Sequence, residues 1–221
     1  YLTDEWVRHE ITHTFTSAVT GNYRAHTAIT RTNNNDAVVY LSYPQIEVGS
    51  YPTSIIITED ASVSRAADVA NGAGNSEVFN DSEGVLYAEF AALTEGGTSR
   101  RITISDGDTS DRVVIENDEQ SGRYRFFISG GGSTIELTHK TGVTEKNYNK
   151  IAVSWNGSNS KVYFNGEKTI PEKTDTPTIS GLSVLQLQNS QATGGNLEGK
   201  IKDVRVYNTA LSDSELQALT Q

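Results

Sequence analysis

Several short loop and turn segments carry side chains able to bind an ion, a sugar or a reacting group. In SDGDTSD, the carboxylates of Asp106, Asp108 and Asp111 are spaced along one loop. Hard oxygen ligands at such spacing can converge on a calcium ion. This loop is therefore the candidate metal site, and Ca2+ the candidate cofactor. A turn between two strands selects the same Asp and Gly residues for backbone reasons, which gives the loop a second reading as a plain hairpin turn.

Sugar recognition asks for an aromatic face beside hydrogen-bonding groups. Tyr124 and Tyr148 are expected to be exposed and to serve as platforms, since tyrosine joins an apolar face to a polar tip. Arg123 and Arg125 flank Tyr124 and suit an acidic glycan, and Asn156 begins an Asn-rich turn able to bond hydroxyls. Trp155 falls inside an apolar strand pattern and is read as core packing.

Catalysis finds less support. Glycoside cleavage uses two carboxyl groups held a few ångströms apart across the scissile bond. Glu89, in LYAEFAAL, has no companion in an E-x-D-x-x-E arrangement and is read as a solvated strand residue. The four histidines suggest no Ser-His-Asp constellation. His9 and His13, at i and i+4 of an extended segment, would sit about 13 Å apart, too far to share a metal. The sequence has no cysteine, which removes disulfides, thiol catalysis and Cys-ligated zinc.

A formal charge of −10 makes nucleic acid and anionic membranes poor partners. Apolar runs extend over only a few residues, so membrane insertion is not expected. The chain starts at Tyr1 and lacks methionine, the expectation for a piece of a longer polypeptide.

The elements that would hold these groups are strands. Period-2 patterning appears in WVRHEITHTFTSA from Trp6, in NYRAHTAIT, and in AVVYLSYPQIEV. Strand patterns return in 84–93, 100–106, 111–117, 122–129, 133–139, 149–156, 160–166, 182–189 and 199–208. Asn156–Gly157 and Asn165–Gly166 mark tight turns between them. In ALSDSELQALT, Ser212 is placed to cap a helix. Glu215 completes a capping box, and Leu211 with Leu216 can form the staple. The expected fold class is all-β: a jelly-roll sandwich with a short C-terminal helix, preceded by part of a second β-rich module. Residues 1–62 are assigned to that first module plus linker, and 63–221 to the sandwich.

From about Gly84 onward the chain resembles the laminin-G/concanavalin A-like lectin superfamily. The likeness lies in NKIAVSWNGSNSKVYFNGE, GKIKDVRVYNTALSDSEL and GRYRFFISGGGSTIEL. The resemblance implies a concanavalin A-like fold that supports a non-catalytic binding role. The seam QIEVGSYPTSIIITEDASVSRAADV is similar to one in bacteriophage virion proteins, where it leads into a lectin-like domain. That likeness implies a virion structural or adhesion module at the particle surface. Its implied partners are host-surface polysaccharide, other virion proteins and further copies of itself, a trimer being favoured. A polysaccharide-degrading enzyme and an extracellular bacterial adhesin fragment are the alternatives.

Overall fold

Alternating apolar residues from residue 83 onward fold into two antiparallel sheets stacked face to face in the computed structural model. The structure describes residues 5–15, 38–48, 52–59, 61–64, 73–157, 159–188 and 195–221. The strands are β1 (Glu83–Ala92), β2 (Arg100–Ser105), β3 (Arg112–Asn117), β4 (Tyr124–Gly130) and β5 (Ser133–Lys140). They continue with β6 (Asn149–Asn156), β7 (Asn159–Phe164), β8 (Glu167–Lys173), β9 (Val184–Gln186) and β10 (Gly199–Tyr207), and α1 (Asp213–Thr220) closes the chain. One sheet has the order β10-β1-β6-β7-β8 and the other β5-β4-β3-β2-β9.

Leu86, Ala88 and Phe90 of β1 enter the core between the sheets, together with Ile151, Val153 and Trp155 of β6. Ile102, Ile115, Phe126 and Ile128 meet them from the other sheet. Trp155 is buried, as its strand pattern implied, and its indole N–H donates to the Asn80 carbonyl at 3.1 Å. The alternate residues Val85 and Tyr87 do not face water either. They form a second cluster with Ala152, Tyr163 and Leu216 beneath α1. Strands covered on both faces therefore read as continuous apolar runs.

The helix forms where its caps predicted. Ser212 accepts from the Glu215 amide, and the Glu215 carboxylate accepts from the Ser212 amide at 2.8 Å. A helix of this length is marginal alone. Burial of Leu216, worth about 1.5–3 kcal/mol for a leucine, fixes it to the sheet.

The sequence reading did not include β8. Its segment EKTIPEK is highly charged and interrupted by Pro171, features that suit an edge strand and hide its period.

The chain divides into two compact units, Tyr1–Ala67 and Asp68–Gln221. Among the described residues of the first unit no strand or helix forms, so the strands expected in 6–15, in 38–48 and at Ile55–Ile57 are not realised there. Ile11 is 95% and Val48 108% exposed, so the apolar alternation has no packed layer to meet. The run NYRAHTAIT lies outside the described residues.

Candidate functional site

Where β5 ends and β6 begins, the loop 141–148 and the β7–β8 turn border an open cleft of about 410 Å3. The turn is made by Asn165 and Gly166, at φ 48° and 81°, between the paired residues Phe164 and Glu167. Left-handed conformation at both positions is the two-residue hairpin that Asn-Gly favours. The Asn165 side chain then ties three segments together. Its amide nitrogen donates to Asn149 Oδ1 at 3.0 Å, and its oxygen accepts from the Lys150 amide at 2.8 Å. Asn149 in turn donates to the carbonyls of Thr144 at 3.2 Å and Asn147 at 2.9 Å.

The loop is also anchored from behind. Glu145 is 0% exposed, and its carboxylate accepts from the amides of Gly96 at 2.8 Å and Gly122 at 2.6 Å. Its carbonyl accepts from Ala92 at 2.8 Å, the end of β1. A buried carboxylate with several good donors makes a stiff bracket.

Tyr148 lines this cleft and is 47% exposed, so it retains the ring surface expected of it. The Lys202 ammonium lies 5.7 Å from its ring centroid and 2.8 Å from Glu89 Oε1. Bonding to Glu89, with their charge attraction, raises the proton affinity of Lys202. Glu89 itself is only 8% exposed. The expectation of a solvated Glu89 is corrected: β1 lies between β10 and β6, and Lys202 of β10 takes up the carboxylate. Lys140 and Glu167 pair at 3.2 Å, and Phe164 lies beneath the cleft with its ring buried in the core. The side chains of Thr141, Thr144 and Asn147 and the Tyr148 hydroxyl take no part in the hydrogen bonds of the described residues.

The other expected sugar-binding residues lie elsewhere. Tyr124 is 0% exposed, so its assignment as an exposed platform is corrected. Its ring points into the core, 5.7 Å from Phe90 and 5.4 Å from Phe164, because β4 alternation places it on the inner face. Burial pushes the Tyr124 phenol well above its ordinary value, although the neighbouring Asn149 opposes the shift.

Arg125 faces outward and stands directly across from Glu116 on β3 and His139 on β5. It bonds Glu116 at 3.2 Å and Glu136 at 2.8 Å, while Arg101 pairs with the other side of Glu116. Burial lowers the Arg125 pKa, but Glu136, Glu116 and Asp118 outweigh it and leave the net shift upward. The guanidiniums of Arg112 and Arg125 lie 5.2 and 5.9 Å from the Phe127 ring centroid. Arg123 sits in the β3–β4 turn and pairs with Asp118. Asn156 ends β6, about 23 Å of extended chain from Asn149. The structure therefore does not gather Tyr124, Tyr148, Arg123, Arg125 and Asn156 into one site.

The aspartate loop closes the β2–β3 hairpin. Asp106 accepts from the Asp108 amide at 3.0 Å and Asp108 from Ser110 at 2.6 Å. Those bonds from Ser110 lower the Asp108 pKa. Asp111 reaches away to the Ser180 amide at 2.8 Å. Each carboxylate supports backbone, which is the turn reading. Among the described residues no group of three His, Asp or Glu side chains is placed to hold a metal.

Sequence reasoning named Tyr148 but not Asn149, Asn165, Lys140 and Glu167, which line the same cleft. The signal present was the triplet Asn147-Tyr148-Asn149, an aromatic flanked by two amides directly before a strand.

A search of curated proteins finds no match. Among solved structures, the chain is similar to the CBM40 of the Ruminococcus gnavus IT-sialidase bound to alpha2,3 sialyllactose. Identity is 17% and the TM-score 0.54, over 70% of this chain and 96% of that one. It is also similar to domain 4 of AbnA, a GH43 extracellular arabinanase from Geobacillus stearothermophilus, in complex with arabinotriose. There the identity is 15% and the TM-score 0.55, over 71% of this chain and 82% of that one. At such identities the likeness concerns the fold. Residues 75–217 match the model described as the concanavalin A-like lectin/glucanases superfamily, and the chain belongs to that superfamily.

Proposed function

We propose that this protein is a non-catalytic glycan-binding module, and that the cleft beside Tyr148 receives the sugar. The observation that carries the reading is a half-exposed aromatic ring in a walled cleft whose asparagines are already held in place. Preorganised polar groups around an aromatic surface let a weak ligand bind without ordering costs. Two structural neighbours with this fold are recorded with oligosaccharides, which supports the same class of ligand.

The non-catalytic part rests on Glu89. Its carboxylate and that of its cross-strand neighbour Asp203 are engaged by Lys202 and Arg205, and neither carboxylate lines the cleft. The wider setting, a phage virion or another extracellular surface carrying several copies, is proposed from the seam sequence alone. In that setting, repeated copies would raise avidity for host polysaccharide without further contacts.

The test is a glycan array probed with the intact chain, with and without calcium, followed by Tyr148→Ala. Binding that Tyr148→Ala lowers at least tenfold supports the reading. No binding at high protein concentration in either condition would leave a purely structural module.

A further inference from the structure

We infer that the cleft selects an uncharged, hydroxyl-rich sugar unit and disfavours a carboxylated one. This rests on the reading of the cleft as a glycan site and assigns its ligand class.

The charges that line the cleft are balanced. Lys140 and Glu167 are its only charged lining residues, and they pair with each other at 3.2 Å. Lys202, beside Tyr148, is taken up by Glu89 at 2.8 Å. A ligand carboxylate entering here would lose water and meet, among the lining residues and Lys202, no cation without a carboxylate already on it. The surrounding chain, at −10 overall, adds repulsion at short range. The arginines Arg101 and Arg125 stand on the outward face of the other sheet, within an ion-paired row through Glu116.

Hydroxyl groups meet a different surface. Thr141, Thr144 and Asn147 offer side chains that both donate and accept, the same dual character as a sugar hydroxyl. The half-exposed Tyr148 ring provides apolar area for the C–H face of a pyranose or furanose. A volume of about 410 Å3 falls within the range of small-ligand sites.

The experiment is an amide NMR titration of the intact chain with lactose, maltotriose, arabinotriose and 3′-sialyllactose. The signals followed are those of Gly142, Asn147, Tyr148 and Asn165. At least one neutral sugar is expected to shift them, with 3′-sialyllactose at least tenfold weaker than lactose. Equal or tighter sialyllactose binding at these signals would overturn the selectivity and leave the cleft as a glycan site. Silence of these signals with every sugar would overturn both, and shifts confined to Arg112, Arg125 and Phe127 would move binding to the sheet face. Glu167→Gln releases Lys140 and is expected to raise the ratio of sialyllactose to lactose affinity about threefold to tenfold. No gain in that variant overturns the charge-balance argument.

Discussion

Lys202 joins Glu89 on the neighbouring strand to the ring of Tyr148, its ammonium 2.8 Å from the carboxylate and 5.7 Å from the ring centroid. The nearly buried glutamate thus anchors a lysine, and the lysine steadies an aromatic wall of the cleft. Replacing Lys202 with alanine is expected to weaken glycan binding about twofold to fivefold, the scale of an exposed cation–π contact. Titration calorimetry of wild type against Lys202→Ala checks this, and an unchanged affinity would deny the lysine its positioning role.

Glu145 carries a heavier structural load. Alanine there leaves the amides of Gly96 and Gly122 without their acceptor in a buried setting. A loss of about 2–4 kcal/mol is expected in urea unfolding. Glu145→Gln keeps an acceptor and should lose less. Equal stability of all three proteins would show that solvent replaces the carboxylate, contrary to its burial.

Asp213 gives the fold an acid-sensitive contact. Bonds from Lys161 and Lys168, at 2.6 and 2.8 Å, hold its carboxyl at about 2, below the ordinary 3.8. A carboxyl with a lowered folded-state pKa stabilises the fold fully above its unfolded value. That contribution fades as pH falls from about 4 through about 2. The group is half exposed, so solvent screening limits the effect to less than about 1 kcal/mol. Asp213→Asn should flatten the acid limb of the stability curve in that window and leave its shape above pH 5 unchanged.

Gly84 is a packing requirement. A methyl group there would come within 2.5 Å of the Trp155 ring and 2.7 Å of the Tyr207 carbonyl. Gly84→Ala is expected to cost about 1–3 kcal/mol through displacement of the indole. The loss should appear both in chemical unfolding and as a change in tryptophan emission. A neutral result would mean that β1 can shift against β10.

Much of the sandwich was legible because short apolar runs bounded by Gly and Asn turns mark strands, and the Asn-Gly turn and the Ser212 capping box have local chemistry. The β8 strand was hidden because an edge can be written in lysine, glutamate and proline. Tyr124 shows why the site was harder to read. A tyrosine between two arginines looks exposed, yet on a paired strand those neighbours point out and the ring points in. The cleft was invisible for a different reason: Asn149 and Asn165 meet only after two hairpins have folded. In residues 6–15 the alternation was clear, but alternation reports a face to be covered and cannot supply the layer that covers it.

The last helix reaches the same cleft. Thr220 accepts from the Gly166 amide at 3.2 Å, and Gln217 donates to the Gly166 carbonyl at 3.2 Å. One wall of the site is thereby fastened by residues that follow every strand. Competence to bind then becomes a reporter of finished folding, since a sandwich with α1 undocked holds that turn loosely. Linkage runs in the other direction too: a bound ligand should slow proton exchange at Gly166 and keep the helix docked for longer.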